Sequence, residues 1–433
     1  MSRVIVIGAG LTGLTAALRL ARAGVRVTLL TKGVGGLQLS QGTVDVLGYL
    51  PDPVEPAHAK PTRAPVGVRV TDPLTAIAEL TADNPQHPYA KIGTDAVRNG
   101  VEFLRAELGD QLLAGDLEGN YLFPTAVGAI RPTCLAQPSM LAGRCVDGAK
   151  FVIVGLRRLK DFHAELIAGN LARTPLPGGG RLSARHLTID VAAREREIDS
   201  SGLTFARAFD DPEFRAKFAA QLKRELQDGE TVGLPAVLGL KDLTAWQDIA
   251  ERLGHPVFEI PLPPPSVPGM RLNNALMAAV GAAGVRVVNG SFVDTPVVKD
   301  GRLVSVSIEA AGAPRAFTAD AFVLAAGGFE SGALTLDSHG QVSERIFDLP
   351  LEIPDGPLLH GNYWGAEQPL FLAGVAVDDA MRVTGPGGSA VPTNLWAAGG
   401  VLAGAVRWRE KSGEGIAVGS AVKAADAIVE VLK

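Results

Sequence analysis

Residues 4–13 of the 433-residue chain read VIVIGAGLTG. The first four are β-branched and apolar, as in a strand buried on both faces of a parallel sheet. Residues 14–23 are rich in Ala, Leu and Arg at helical spacing, Gly24 ends that helix as a C′ glycine does, and residues 25–30 form a second apolar run. The stretch therefore predicts a β-α-β unit and, with it, a doubly wound α/β sheet of the Rossmann type.

The glycine turn at residues 8–13 has the GxGxxG pattern between a strand and a helix. Such a turn lets a pyrophosphate approach free backbone N–H groups at the positive end of a helix dipole. Its predicted cofactor contacts are Gly8, Gly10, Leu11, Thr12 and Gly13. The carboxylate that usually holds a ribose about 20 residues further on is missing, and Thr31 and Lys32 occupy that place. The turn thus predicts an intact dinucleotide or a mononucleotide whose phosphate uses the same turn.

Later segments decide between a nicotinamide and a flavin. Residues 322–329 (FVLAAGGF) follow a hairpin signal at residues 299–301, and residues 394–400 (NLWAAGG) lead to a glycine-bearing helix start at residues 413–415. In this order they resemble segments of flavoproteins of the glutathione-reductase and fumarate-reductase type. There the last helix points its N-terminus at the flavin pyrimidine edge. The resemblance implies flavin contacts at Ala326, Gly327, Gly328, Gly399, Gly400, Gly413, Gly415 and Ile416.

In flavoproteins of that superfamily, the backbone of a segment after the second strand lies along the isoalloxazine ring. The resemblance places Ser40, Gln41, Gly42 and Thr43 in that position. The histidine nearest in sequence is His58, so a histidyl link to the ring is not expected. We therefore predict a non-covalent flavin.

The middle of the chain interrupts this domain. Residues 51 to about 70 are rich in Pro and polar residues, and strand-like and helical patterns then alternate over about 150–262, up to three consecutive prolines. We predict a Rossmann-like FAD/NAD(P)-binding domain from residues 1–50 and 265–433. A smaller inserted α/β cap or substrate module is predicted over residues 51–264.

A closer resemblance covers nearly the whole chain. It is carried by residues 40–47 with Leu50 and Pro51, by His87-Pro88-Tyr89 and by a turn over residues 125–133; further matches are residues 154–156, 161–162 and 262–272. Together these segments resemble the B subunits of anaerobic glycerol-3-phosphate dehydrogenases. The resemblance implies oxidation of sn-glycerol 3-phosphate to dihydroxyacetone phosphate.

The same resemblance implies FMN, whereas the GxGxxG turn favours FAD, so both flavins stay open. It also implies a second flavoprotein subunit and an iron–sulfur subunit that passes electrons to membrane quinone. One segment departs from the family pattern: residues 406–411 (VRWREK) are charged where a glycine- and cysteine-rich approach to the last helix is expected. This leaves open the contact with the flavin pyrimidine, or the surface that meets a partner.

Three residues are candidates for substrate chemistry. Arg131 and Arg271 offer the planar fork that binds phosphate, and the alternative for each is a structural ion pair or a surface position. His87 is the candidate base for the alcohol proton, since imidazole titrates near neutral pH, and the alternative is a turn residue.

Composition excludes several classes of function. A net charge of −5 argues against a nucleic-acid partner. Two cysteines, Cys134 and Cys145, cannot form a disulfide framework or hold an iron–sulfur cluster, which generally takes four thiolates. No metal-ligand spacing, signal peptide or run of about 20 apolar residues is present. We expect a cytoplasmic protein, peripheral at the inner face of the membrane through a partner at most.

Two other functions are compatible with the sequence. One is a self-sufficient flavin oxidoreductase that acts on another small substrate. The other is a non-catalytic subunit whose flavin only relays electrons, or whose fold only supports the true dehydrogenase.

Overall fold

A computed structural model describes residues 2–50, 67–290, 292–309, 313–361, 367–385 and 389–433. The chain divides into two compact units. Unit 1 comprises Met1–Gly36, Asp45–Glu107 and Leu276–Lys433, and unit 2 comprises Leu37–Val44 and Leu108–Ala275. His58 and most of the loop predicted for residues 51–70 lie outside the described residues.

Strands and helices are numbered in chain order. The strands are β1 Arg3–Ile7, β2 Arg26–Thr31, β3 Tyr49–Leu50, β4 Val68–Arg69, β5 Ala114–Gly115, β6 Tyr121–Pro124, β7 Ile130–Thr133, β8 Leu135–Ala136, β9 Lys150–Leu156, β10 Ser183–Ile189, β11 Thr231–Pro235, β12 Val257–Ile260, β13 Arg286–Asn289, β14 Val293–Lys299, β15 Arg302–Ile308, β16 Arg315–Thr318, β17 Ala321–Leu324, β18 Leu334–Leu336, β19 Val342–Glu344, β20 Ala376–Val377, β21 Val383–Thr384 and β22 Leu395–Ala397. The α-helices are α1 Leu11–Arg22, α2 Pro73–Asp83, α3 Pro88–Ile92, α4 Thr94–Leu108, α5 Ala164–Arg173, α6 Gly202–Phe209, α7 Pro212–Leu222, α8 Ala245–Leu253, α9 Val267–Ala282, α10 Arg407–Glu410 and α11 Gly413–Leu432.

Unit 1 is built on a five-stranded parallel sheet in the order β13-β2-β1-β17-β22. Residues 4–7 of β1 are buried and pair with β17 on one side and β2 on the other, so the two ends of the chain share one sheet. Helix α1 packs against α11. The predicted doubly wound α/β fold is confirmed, because the β-branched run of β1 takes the central position that a strand buried on both faces requires.

A three-stranded antiparallel sheet, β14-β15-β16, also belongs to unit 1. Its first two strands are joined at Asp300 and Gly301, which have φ values of +51° and +71°. Positive φ at both central residues matches the right-handed twist of a hairpin. The hairpin predicted at residues 299–301 is therefore present.

Unit 2 contains a four-stranded parallel sheet in the order β10-β9-β11-β12. Its buried core includes Phe151, Phe205, Phe209, Phe218 and Phe258. The alternation of strands and helices expected over about 150–262 is present, because helices connect the consecutive strands of this sheet. Helix α6 is an addition that the sequence pattern did not predict.

The compact units differ from the predicted domain boundaries in three segments. Residues 67–107 belong to unit 1, because α4 packs closely on the last helix: a Cβ added at Gly100 would lie 2.6 Å from the Val418 carbonyl oxygen. Residues 37–44 and 265–275 belong to unit 2, where a Cβ added at Gly42 would lie 2.6 Å from the Pro268 carbonyl carbon. The boundaries of the two units follow from close packing of glycines against backbone that is distant in sequence. The local amino-acid composition, on which the predicted boundaries rest, does not reveal such packing.

Candidate functional site

The glycine turn between β1 and α1 uses its three glycines differently. Gly8 has a φ of +112°, and a Cβ there would overlap the Ala325 carbonyl, while a Cβ at Gly13 would overlap the Gly8 carbonyl. Gly10 is extended, with φ −77° and ψ −178°, and a Cβ there would meet nothing within 4 Å among the described residues. Gly8 and Gly13 are therefore required by packing, whereas Gly10 borders open space.

The N-terminus of α1 fits a phosphate group. Gly10 is the N-cap and makes no side-chain cap hydrogen bond, and the first turn carries no acidic residue. The first N–H groups of a helix have no intrahelical partner, and the helix dipole makes this end positive. The predicted contacts of the turn, including Leu11 and Thr12, thus surround a place suited to a flavin phosphate.

The loop after β2 closes against this turn. A Cβ at Gly35 would lie 2.5 Å from Gly10 Cα. The Thr31 hydroxyl donates to the Gly33 carbonyl (2.6 Å) and lies 3.3 Å from the Gly33 N–H. Lys32 is exposed, with its Nζ 4.2 Å from the centre of the Phe292 ring. Thr31 thus holds its own loop, and neither residue replaces the carboxylate that would hold a ribose.

Two further glycine loops lie next to the first. Gly399 has a φ of +75°, and a Cβ there would overlap the Thr12 hydroxyl on the first turn of α1. A Cβ at Gly400 would be 3.4 Å from Gly327 Cα, and one at Gly328 would be 2.8 Å from the Gly400 carbonyl oxygen. The loops that begin at Ala326 and Gly399 are therefore brought to the N-terminus of α1, and their predicted contacts with the flavin stay predictions.

The N-terminus of α11 is closed by the chain itself. The Gly415 N–H donates to the Asp45 carbonyl (3.0 Å), and the Ile416 N–H donates to the Ser412 carbonyl (2.9 Å). A Cβ at Gly415 would overlap the Tyr89 hydroxyl, which is buried here and hydrogen-bonds to the Val46 carbonyl. Gly413, Gly415 and Ile416 are thus assembled at one helix end; the Ile416 bond is the first bond of the helix, and the Gly415 N–H is paired with a carbonyl outside it.

His87 lies in the same region and is only 1% exposed. Its Nδ1 accepts the Tyr89 N–H (3.2 Å), so the ring proton lies on Nε2 and is donated to Glu410 Oε2 (3.1 Å). Glu410 also accepts from the Ser412 hydroxyl (2.8 Å) and the Val406 N–H (3.0 Å). Burial raises the pKa of Glu410, but these hydrogen bonds outweigh it, and the pKa is lowered overall. In this geometry His87 holds Glu410, and its predicted role as a base stays a prediction.

In unit 2, the segment predicted to lie along the flavin ring is firmly held. Ser40 hydrogen-bonds to Leu37, Gln41 is half-buried, and the Gly42 carbonyl accepts from Gln137 Nε2 (3.3 Å). Arg131, 9% exposed, donates from Nη2 to the Thr43 hydroxyl (2.7 Å). The structure thus brings Arg131 to this segment, while its binding of a substrate phosphate stays a prediction.

Arg271 is completely paired within unit 2. Its five guanidinium N–H groups donate to Glu259, to the Gln137 side-chain oxygen and to the Gly239 carbonyl, at 2.6 to 3.1 Å. The Arg271 and Glu259 side chains are 3% and 0% exposed. This geometry matches the alternative considered for Arg271, a structural ion pair. Because all five N–H groups are in use, a phosphate could bind only if one of these hydrogen bonds broke.

Sequence reasoning missed Glu259, Glu410, Tyr89 and Arg407. Glu259 lies in a strand, 12 positions before Arg271; Glu410 and Arg407 stand in the charged stretch at residues 406–411. The signal that could have indicated Glu410 is a single acidic residue among cations, three positions before the glycine-bearing start of α11.

Two chemical features are absent from the described part of the chain. Residues 2–50 and the later described ranges bring together no group of three or more His, Cys, Asp or Glu side chains that could hold a metal ion. None of the helices found there combines the length and apolar character that crossing a membrane requires.

Comparisons with known proteins now define the class. Residues 3–416 match the family described as FAD binding domain. The protein is therefore a flavoprotein of the FAD-binding class, and the prediction of a flavin cofactor is confirmed.

Relatives similar over the full length narrow this class. The probable B subunit of the anaerobic glycerol-3-phosphate dehydrogenase of Halobacterium salinarum is 33% identical over 443 residues, which cover 100% of this chain and 98% of the relative. The corresponding B subunit from Pectobacterium atrosepticum is 28% identical over 440 residues, which cover 99% and 98%. The chain belongs to the family of anaerobic glycerol-3-phosphate dehydrogenase B subunits, a family of flavin oxidoreductases.

Solved structures are more distant. The 3-ketosteroid delta1-dehydrogenase from Sterolibacterium denitrificans has 11% identity and a TM-score of 0.44, with 100% of each chain covered.

Proposed function

We propose that this chain is a flavin-containing subunit of an enzyme that oxidises sn-glycerol 3-phosphate to dihydroxyacetone phosphate and passes the electrons to quinone. The observation that carries the proposal is the full-length similarity to relatives named as B subunits of this dehydrogenase. The open N-terminus of α1 supports it, since a flavin phosphate requires such a place.

The proposed partners are a second flavoprotein subunit and an iron–sulfur subunit that attaches the complex to the inner face of the membrane. Two cysteines among 433 residues support this division of labour, because a cluster generally takes four thiolates. This chain would then act in the cytoplasm, peripheral to the membrane through its partners.

We infer that the backbone N–H groups around Gly10 hold the flavin phosphate, with the loops at Gly327–Gly328 and Gly399–Gly400 beside it. The bound flavin supplies the acceptor for the hydride that leaves the alcohol carbon. The Thr31 hydroxyl is used within its own loop, which favours FMN over FAD because no side chain at that place offers a bidentate grip on a ribose.

Arg131 is the proposed contact for the substrate phosphate. It is buried, and its bond to the Thr43 hydroxyl orients the guanidinium. Arg271 is less suited, since its donors already serve Glu259, Gln137 and Gly239. For the alcohol proton, His87 stays the proposed base, although it would first have to release Glu410.

The proposal is tested by anaerobic reduction of the flavin in the assembled complex. We expect sn-glycerol 3-phosphate to bleach the flavin absorbance of the complex, and glycerol and glycerol 2-phosphate to leave it unchanged. The isolated chain should contain flavin but turn over little. Acid extraction followed by mass measurement identifies FMN or FAD.

Two other results would overturn the proposal. Rapid turnover of the isolated chain on a different substrate would indicate a self-sufficient oxidoreductase. A flavin of this chain that sn-glycerol 3-phosphate cannot reduce, even in the complex, would indicate an electron relay or a scaffold.

A further inference from the structure

The charged stretch at residues 406–411 sends one cation back onto the glycine loops. Arg407 opens the short helix α10, its side chain is 21% exposed, and its Nη2 lies 3.1 Å from Glu330 Oε1. The same nitrogen would lie 3.0 Å from a Cβ at Gly328 and 3.3 Å from one at Gly400. The guanidinium therefore stands where the loops after β17 and β22 meet.

The strand order places this cation on one side of the phosphate position. The turn that accepts the phosphate follows β1, and the place that usually holds a ribose follows β2. Strands β17 and β22 lie on the opposite side of β1, and their loops offer glycine backbone at Gly328 and Gly400. A flavin held by its phosphate at α1 would come close to Arg407 if its ring extended toward these loops.

At the helix end expected to meet the flavin pyrimidine, one N–H group is taken up by the chain itself. The Gly415 N–H donates to the Asp45 carbonyl, which lies outside the helix. Arg407 lies beside it, since a Cβ at Gly413 would be 3.8 Å from Arg407 Cβ.

Arg407 also has donors to offer. Within the described ranges of the chain, Glu330 is the one polar partner found for its guanidinium, and the Glu330 side chain is 65% exposed. An ion pair with so exposed a carboxylate is weak and readily exchanged.

We propose that Arg407 is the cation that stabilises the reduced flavin, and that Glu330 moderates its charge. Reduction by a hydride donor adds two electrons and one proton to the oxidised ring, which then carries one negative charge. A guanidinium next to that charge favours the reduced form and raises the reduction potential of the flavin. The inference concerns the flavin and does not depend on which alcohol is the substrate.

The test measures the midpoint potential of the flavin-loaded chain by equilibration with reference dyes during dithionite titration. In Arg407→Gln we expect the equilibrium for reduction to fall on the order of tenfold, which corresponds to about 30 mV for a two-electron couple. In Glu330→Gln we expect the potential to rise, by roughly threefold in the same equilibrium, or about 15 mV. Arg407→Lys should retain most of the wild-type potential.

Arg409→Gln is the matched control. Arg409 stands on the same short helix and forms its ion pair with Glu367, and Arg407, not Arg409, supplies an atom among the nearest to a Cβ at Gly328 or Gly400, so this variant removes an equal charge from a different position. It should leave the potential within about 9 mV of wild type, which corresponds to less than a twofold change in the equilibrium.

The outcomes are decisive in each case. Equal shifts in Arg407→Gln and Arg409→Gln, or an unchanged potential in Arg407→Gln, would overturn the inference. If Arg407→Gln retains no flavin, the midpoint potential of Glu330→Gln decides alone. A potential of Glu330→Gln that does not rise above the wild-type value would overturn the inference. These readouts need no substrate, so failure of the glycerol 3-phosphate assay would leave them intact.

Discussion

Two helices of unit 1 begin with glycine-bearing segments, and their N-termini differ in what satisfies them. At α1, Gly10 provides no side-chain cap and borders open space. At α11, the Gly415 N–H is bound by the Asp45 carbonyl, and the space above Gly415 is filled by the Tyr89 hydroxyl and by Val46. The first end borders open space, whereas at the second the chain itself takes up one N–H group and the space beside Gly415.

This difference shows that glycine spacing alone does not identify an anion site. Glycine permits close approach, but the approaching group can be a cofactor or a distant piece of the same chain. At α11 the approaching groups are residues 45–46 and Tyr89, which fasten the helix to the rest of unit 1. The charge-bearing contact to the flavin ring that we assign to Arg407 lies beside this end, since a Cβ at Gly413 would be 3.8 Å from Arg407 Cβ.

The largest effect is expected from Gly10→Val. The branched side chain would occupy the open space at α1, so the flavin phosphate would lose about two charge-assisted hydrogen bonds, roughly 3–6 kcal/mol in all. Flavin affinity should fall by about 10²–10⁴-fold, measured by fluorescence titration of the apo-protein. The thermal unfolding midpoint of the apo-protein should change little, because no described atom lies within 4 Å of the new Cβ.

Gly13→Ala is the contrasting variant in the same turn. Its Cβ would overlap the Gly8 carbonyl, so the apo-protein itself should be destabilised. Full flavin occupancy in Gly10→Val would contradict the assignment of α1 as the phosphate site.

Gly415→Ala should have the next largest effect, and on stability. The added methyl group would overlap the Tyr89 hydroxyl and lie 2.8 Å from Val46 Cα, so we expect a loss of about 3 kcal/mol in the free energy of unfolding. Urea denaturation of the apo-protein measures it. Combining the change with Tyr89→Phe should recover part of the loss, because the clashing oxygen is removed. An unchanged free energy of unfolding in Gly415→Ala would contradict the comparison, because it would show that the space beside Gly415 is as open as that beside Gly10.

The sequence predicts the parts of this arrangement that local pattern encodes. The β-branched run of β1, the glycine turn and the glycines after β17 and β22 predict a central strand and a cofactor edge, and the structure brings them together. The end of α1 at Arg22 follows from Gly24, whereas its start at Leu11 lies three residues before the helix predicted over residues 14–23.

Long-range partners are what local pattern does not encode. Arg271 reads as a phosphate ligand beside prolines, yet a buried carboxylate, Glu259, takes up its guanidinium. His87 reads as a loop histidine, yet the chain brings Glu410 to it from 323 positions away. A buried charge takes whichever partner the fold supplies, because leaving it unpaired costs several kcal/mol.

Glu410→Gln should have the smallest of these effects, and its dependence on pH reveals its cause. Hydrogen bonds from His87, Ser412 and Val406 lower the pKa of Glu410 despite its burial, so its folded pKa lies below the value of about 4.3 in the unfolded chain. The ionised carboxylate therefore stabilises the fold above that unfolded value, and this contribution is lost as the pH falls through the folded pKa. At pH 7 we expect the variant to unfold with about 2 kcal/mol less free energy than wild type.

The gap between the two proteins in urea denaturation should stay constant from about pH 7 to pH 5 and narrow below about pH 4. Hydrogen exchange then connects the effect to the comparison of the two helix ends. In Glu410→Gln, the amides at the start of α11 should exchange faster, because Glu410 and Ser412 hold that end closed, and those of α1 should be unchanged. A gap that does not vary with pH, or equal acceleration at both ends, would show that the charge of Glu410 is not what completes the N-terminus of α11.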